Sequence, residues 1–514
     1  MSGDADLPEE TAPLWATTAP RTDYAPMAGD EATDVAVVGG GIVGVTTAFR
    51  LLEDGYDVTL LERDRVVEGV TGRTTAKVTS LHGLVYDRLR GTLGADAARQ
   101  YGEANEAAVD EIGDRVAESD IDCGFRRLPA YTYARSGDDR SAVRREAEVA
   151  DGLGLPASFV GDDALDLPYR TAGAVAFADQ AQFDPRRYLL ALVEQFVHAG
   201  GRVFERTKVT DVDGGVPCRV ETDRGTVRAD DVVLATHFPI QDRGGFFARM
   251  YPKRSYVLAV TVDGEVPDGM YYDHSDPYRS LRPHRHDGEE YLLVGGENHK
   301  TGQADAAERY RRLAAFAREH FDVTDVRYRW STQDYVTTDR VPYVGRLGPA
   351  TDHCFVATGF GGWGMTNGTA AASVLAALVA GRDHRWADLY SPRRVTLSGR
   401  SLRELVTENA DSAGHFLRGW LRAADRRSLD GLAPGEGTVV REGTSPVAVS
   451  RDESGDLRAV SAVCPHMKCV VDWNAAERSW DCPCHGSRFD ADGEVIDGPA
   501  TEALATRYPR ASRD

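Results

Sequence analysis

Two cysteine–histidine pairs close to the C-terminus are the residues best equipped for chemistry. They are Cys464-x-His466 and Cys482-x-x-His485, separated by fifteen residues within CPHMKCVVDWNAAERSWDCPCHGSRFD, 464–490. Thiolates and neutral imidazoles both ligate transition metals. Zinc accepts two of each, but its usual sites pair Cys with Cys and His with His along the chain. Here each loop offers one Cys and one His, which suits a [2Fe–2S] centre with two thiolates on one iron and two imidazoles on the other. Cys469 and Cys484 lie in the same stretch, so a plain disulfide knot is a third reading. Cys123, Cys218 and Cys354 are scattered and read as buried thiols.

A second constellation lies near the N-terminus, in DVAVVGGGIVGVTTAFRLLEDGYDVTLLERD, 34–64. Gly39, Gly41 and Gly44 form GxGxxG between a β-like run and the opening of a helix. The first glycine permits a tight turn, the second lets backbone approach a pyrophosphate, and the third lets helix and strand pack closely. The helix N-terminus offers unpaired N–H groups to phosphate. Glu62, ending the second strand, is placed to accept from adenosine ribose hydroxyls and disfavours a 2′-phosphate, hence NADP. Dinucleotide binding is the expectation, the alternative being a glycine-rich turn without ligand.

Three later segments resemble the D-amino acid oxidase-like flavoproteins, which include glycine and sarcosine oxidases: GVTGRTTAKVTSLHG (69–83), DDVVLATH (230–237) and DRVPYVGRLGPATDHCFVATGFGGWGMTNGTAAA (339–372). The resemblance spans roughly 33–395 and implies FAD. By it, Thr71, Gly72, Thr74, Thr75 and Ala76 lie along the pyrophosphate and isoalloxazine, and Val209 contributes backbone at the adenine end. Gly361, Gly362, Gly364, Met365 and Thr366 would turn backbone N–H groups toward the flavin pyrimidine edge, where a helix N-terminus stabilises the charge of the reduced ring. Residues 432–510 resemble the Rieske proteins of cytochrome bc-type complexes. That likeness implies a disulfide between Cys469 and Cys484 and a Ser487 hydroxyl bonded to a bridging sulfide. It also implies that GPA (498–500) covers the cluster. One departure is Phe489 where that pattern has tyrosine; losing a donor to sulfur should lower the potential within the Rieske range. The whole chain resembles a family of Rieske-domain FAD-dependent oxidoreductases of bacteria and archaea.

Together the two centres imply an FAD-dependent dehydrogenase of a small amine or amino acid. It would pass electrons through the cluster to a one-electron carrier or quinone. A redox sensor or electron-transfer adaptor with vestigial catalysis, and a reductase running electrons from cluster to FAD, are the other readings. No second nucleotide fingerprint marks an NADH site, and no facial triad marks an oxygenase. Candidates for the substrate pocket are Arg254, Arg282 and Arg340, which could clamp a carboxylate, with His299 and Lys300 after a strand-like run and His82 near the flavin.

The elements that must hold these residues follow from pattern. The expected fold class is α/β: a Rossmann-like FAD-binding domain with an inserted antiparallel-sheet substrate domain, plus a C-terminal all-β Rieske domain. The expected boundaries are an arm at 1–32, pinned by Trp15, and an oxidoreductase region at 33–395 with its substrate subdomain at roughly 85–175 and 245–335. A helical connector at 396–431 and the Rieske domain at 432–514 complete the chain. In the connector, Leu402, Leu405, Val406, Ala413, Phe416, Leu417, Trp420 and Leu421 recur at three- and four-residue spacing. This reads as an amphipathic helix docked on the body, a membrane-surface helix being the other reading.

With 81 acidic against 60 basic residues in 514, the formal charge is −21, which argues against nucleic acid and anionic membranes as partners. Lysine stands only at Lys77, Lys208, Lys253, Lys300 and Lys468, a balance similar to proteins of salt-loving microbes. No export signal is legible at the N-terminus and no apolar run is long enough to insert stably in a bilayer, so a cytoplasmic location is expected.

Overall fold

The computed structural model describes residues 7–348, 351–396, 398–422, 429 and 431–507. The start of the expected arm (1–6), part of the expected connector (423–428 and 430) and the end of the expected C-terminal domain (508–514) lie outside the described residues.

Strand β1 (Glu31–Val38) is buried over its second half, and the glycine turn after it leads into helix α1 (Ile42–Glu53) and strand β2 (Val58–Leu61). β1 pairs in parallel with β2 on one side and with β3 (Thr226–Leu234) on the other. The sheet continues through Arg202–Phe204 beyond β2, and through Cys354–Thr358 and Tyr343–Arg346 beyond β3. Continuous Val/Leu burial in these strands is what a parallel sheet covered on both faces requires. Helix α2 (Gly364–Val379), buried along nearly its whole length, packs beside α1.

The second sheet has nine strands and is mainly antiparallel. It takes in Lys77–Val78 and Ala174–Gln182, so the inserted region begins earlier than the expected window. Its edge is formed by β4 (Met250–Val262) and β5 (Val323–Thr337), in a register that sets Lys253 opposite Asp334 and Arg254 opposite Gln333. Successive strand side chains leave on opposite faces, and this alternation decides which basic residues reach the cavity.

The C-terminal region holds a three-stranded and a four-stranded antiparallel sheet around Val471, Trp480 and Phe489, all fully buried. Its two ligand-bearing loops lie between and beside these strands. Helix α3 (Gly399–Arg422) runs between the two halves of the chain. Its inner side is tied down by Glu404 to Arg88 and Arg340, and by Glu408 and Asp411 to Lys300. In the arm, Trp15 is completely buried and its indole N–H donates to Thr74 O at 2.7 Å.

Candidate functional site

A cavity of about 810 Å³ opens at the carboxyl ends of the parallel strands, where the glycine turn, Glu62, Thr236 and Ala357 meet the second sheet. The turn is built only for glycine at its tightest point: a Cβ on Gly44 would collide with the Gly39 carbonyl. Gly39 and Gly41 line the cavity, whereas Gly44 packs behind it. Glu62 accepts from Gly40 N at 2.7 Å and Asp64 N at 2.9 Å, and burial raises its pKa. Thr71, Gly72, Thr74, Thr75 and Val209 also line the wall. Thr71 Oγ1 accepts the Ile42 N–H at 3.1 Å, so it braces the start of α1. Ala76 lies behind the wall, buried, with φ +55°.

The second glycine turn divides differently from expectation. Gly361 and Gly362 line the cavity, while Gly361 N donates to Tyr335 O at 2.9 Å and Gly362 N to Asp334 Oδ2 at 2.6 Å, so their N–H groups anchor the turn to β5. Gly364 and Met365 line the cavity in the first turn of α2, where N–H groups lack intrahelical partners. Thr366 turns inward and donates to Thr79 O. The start of α2, which lacks a side-chain cap, and the glycine cradle at the start of α1 fit a bound dinucleotide.

None of the six pocket candidates lines the cavity, and each has a physical reason. Arg254 leaves β4 on the opposite face and pairs with Glu477 of the C-terminal region. Arg282 packs over the Trp15 ring and donates to Thr75 O. His299 bonds Tyr256 Oη at 2.8 Å, and Lys300 reaches Asp411 of α3 at 2.8 Å. Arg340 is held by Glu404. His82 sits behind Trp363, stacked on it at 4.8 Å, and burial lowers its pKa to about 3.

Other residues take the cavity face. Lys253, next to Arg254, lines it with its Nζ 4.8 Å from the Tyr278 ring centre. Burial lowers its pKa to about 8. Tyr272 stacks on Tyr278 at 4.6 Å and leans on Trp363 at 5.3 Å, completing an aromatic wall. Lys77 lines the cavity and donates to Tyr271 O at 2.8 Å and to Ser280 Oγ; burial, then the Arg282 charge, pulls its pKa well down. Sequence reading missed these residues. The signal was present: in a chain that carries its positive charge almost wholly on arginine, the rare lysines mark special places, and three of the five, Lys77, Lys208 and Lys253, line this cavity.

In the C-terminal loops Cys464 and Cys482 are buried free thiols, and one is drawn down in pKa by accepting from the other. The His466 and His485 rings stand 5.0 Å apart, and burial lowers both pKa values, as neutral ligands require. His485 Nδ1 is buried with no partner among the described residues. An orphaned imidazole nitrogen beside two buried thiols is what a metal centre would satisfy, and these residues fit the [2Fe–2S] group. Cys469 and Cys484 are disulfide-bonded. Ser487 is fully buried, accepts from Ala500 N at 3.0 Å and reaches the Cys464 sulfur. Phe489 fills the domain core.

The two sites share a wall. Asp497, Gly498, Pro499 and Ala500 of the C-terminal region line the same cavity as Gly39 and Trp363. Three consecutive β5 residues make the seam. Gln333 Nε2 donates to Gly486 O at 2.8 Å, beside His485. Tyr335 Oη donates to Gly498 O at 2.7 Å, while Asp334 and Asp497 flank His237 at 3.5 and 3.4 Å. Burial opposes charge on His237, but the two carboxylates outweigh it and lift its pKa to about 10. Gly486, with φ +79°, fits against Pro252, where a Cβ would strike the ring. Phe247 packs on both ligand imidazoles, 6.2 and 5.8 Å between ring centres, so the histidine edge faces the flavoprotein domain.

This is the architecture of a two-centre oxidoreductase. Residues 34–378 match the FAD dependent oxidoreductase (DAO) family and 419–509 match the Rieske [2Fe-2S] domain; the chain belongs to the former family and carries the latter domain at its C-terminus, which implies FAD and a [2Fe–2S] cluster. YhfW of Bacillus subtilis (strain 168), described as a Rieske 2Fe-2S iron–sulfur protein, is 38% identical over 493 residues, 95% of this chain and 96% of its own. Gamma-glutamylputrescine oxidoreductase of Escherichia coli (strain K12) is 25% identical over 399 residues, 72% of this chain and 89% of its own. Among solved structures, glycine oxidase from Geobacillus kaustophilus superposes with a TM-score of 0.60 at 20% identity, covering 71% of this chain and 100% of that one. No helix among the described residues is long and apolar enough to cross a membrane.

Proposed function

We propose that the protein is a dehydrogenase of a small amine or amino acid that delivers substrate electrons, by way of the cluster, to an external one-electron carrier or quinone. The observation that carries this reading is the shared wall: the Asp497–Ala500 segment lines the dinucleotide cavity and is tied to a ligand loop by the Ala500 N–H to Ser487 Oγ. Bound FAD would accept the two electrons of a hydride, and the [2Fe–2S] cluster would pass them on singly.

The chain's own residues define the rest. Glu62 keeps acceptor sites free for ribose hydroxyls after taking the Gly40 and Asp64 N–H groups. Trp363, Tyr272 and Tyr278 exclude water from the substrate end and offer aromatic faces to a small organic cation or its neutral amine. Lys253 supplies the positive charge that orients a carboxylate or carbonyl, the role first assigned to an arginine. Lys77 fixes the Ser280 hydroxyl at the cavity wall. Phe247, packed edge-on against the ligand histidines, keeps solvent from the side of the cluster that faces the flavoprotein domain. The amine-acting and amino-acid-acting relatives support the substrate class.

An anaerobic titration with D- and L-amino acids, N-methyl amino acids and polyamines tests the reading. A substrate should bleach flavin absorbance and then raise the cluster's paramagnetic signal. Failure of every amine to reduce either centre, with a non-amine donor succeeding, would remove the substrate assignment.

A further inference from the structure

Helix α3 presents an outer face that the fold leaves uncovered. Leu402, Val406, Leu417 and Leu421 are 55, 58, 63 and 82% exposed, four of the nine large hydrophobic residues exposed among the described residues. Ala410 and Ala413 are exposed between them. The charges on this face are arginines, Arg403 and Arg418, because Glu404, Glu408 and Asp411 turn inward to Arg88, Arg340 and Lys300. In a chain of charge −21 this is a strip from which acid has been cleared. Contiguous apolar exposure of this kind marks an interaction surface.

The order of residues along the strip says what covers it. The spacing from Leu402 to Val406, Ala410, Ala413, Leu417 and Leu421 reads the same in both directions. A two-fold axis at the level of Asp411 and Ser412 carries Leu402 onto Leu421, Val406 onto Leu417 and Ala410 onto Ala413. The same axis carries Arg403 onto Trp420. We propose that this face is the interface of a two-fold homodimer in which α3 packs antiparallel on α3 of a second copy.

An isologous contact requires that residue i meets j while j meets i, and this strip meets that condition at every apolar position. Small residues at the centre let the two helices approach, while leucine and valine fill the flanks. The steps of four, four, three, four and four residues keep the strip within about 100° of one helix face, a seam about 30 Å long at 1.5 Å per residue. Arg403 meets the Trp420 indole of the other copy, a cation–π partner. An anionic bilayer fits less well, because the surrounding surface repels it and arginine is sparse on the strip. The dimer also bears on the redox site. Trp420 donates to Lys468 O at 3.2 Å, in the loop of Cys464 and His466, and Gly419 lies against Val470. Clamping α3 therefore fixes the cluster loop against the flavoprotein domain.

Sedimentation velocity of the holoprotein is the test. Wild type should be a dimer; Leu417→Asp should weaken association by at least about tenfold with flavin and iron content unchanged. Val406→Lys added to Leu417→Asp should restore the dimer, since the new charges meet only in the antiparallel register. Leu402→Cys chains mixed with Leu421→Cys chains should cross-link on mild oxidation, while neither does so alone. A monomer at all concentrations, a dimer indifferent to Leu417→Asp, cross-linking of Leu402→Cys with itself, or a monomer that floats with phosphatidylglycerol vesicles would each overturn the proposal.

Discussion

His237 joins the two halves of the molecule, and its removal has a calculable cost. The imidazolium lies between Asp334, which also accepts the Gly362 N–H, and Asp497, in the segment tied to a ligand loop through Ala500 N and Ser487 Oγ. A folded-state pKa of about 10 against an ordinary 6.5 corresponds to at most about 5 kcal/mol at 1.36 kcal/mol per tenfold change. The side chain keeps 17% exposure, so screening reduces this to about 3 kcal/mol, the low end for breaking a buried pair. Because the folded pKa is raised, the stabilisation is complete below about pH 6.5 and is lost as pH rises through about 10. His237→Gln should therefore cost about 3 kcal/mol at pH 7, and the gap from wild type should shrink steadily toward pH 10. The assay is urea unfolding of the C-terminal region, followed by the cluster's visible circular dichroism and compared at fixed slope. A loss under about 1 kcal/mol at pH 7, or a gap unchanged between pH 7 and 10.5, would refute the ionic clamp.

Other substitutions separate cavity residues from their neighbours. Lys253→Met should raise KM about tenfold for a carboxylate-bearing substrate and abolish the weakening of binding as pH rises through about 8, read from the pH profile of kcat/KM. Arg254→Met, one position away, should leave KM within about twofold yet destabilise the protein by about 2 kcal/mol, because Glu477 loses one of its two arginines and keeps Arg488 and Tyr310, read by denaturant midpoint. Gly44→Val should prevent flavin retention through gel filtration, because its side chain has only the Gly39 carbonyl to displace.

Legibility in the sequence followed the range of the interactions involved. GxGxxG, Glu62 and the two Cys–His pairs sit in local turns whose geometry depends on neighbours within a few residues, and the folded chain places them in two coherent sites. The substrate end depends on strand register. Reading YPKRSYV without the pairing of β4 to β5 could not distinguish Lys253 from Arg254, and the arginine was assigned to a cavity that the lysine faces. Gly361 and Gly362 do line the cavity, but the flavin contact expected of their N–H groups depends on long-range pairing in a similar way. Their N–H groups are claimed by Tyr335 O and Asp334 Oδ2, partners on a strand some 30 residues earlier. The junction at Gln333, Tyr335, His237 and Asp497 is long-range in every contact, and no local pattern announces it.

The central claim is that the dinucleotide cavity and the ligand loops form one electron path. Its most direct test is to reduce the flavin of the anaerobic holoprotein rapidly with light and follow cluster reduction at several protein concentrations. The account predicts that the cluster's signal rises as flavin reoxidises, at a rate independent of protein concentration, as intramolecular transfer across the Asp497–Ala500 wall requires. A flavin that stays reduced beside an oxidised cluster, or transfer that scales with concentration, would contradict it.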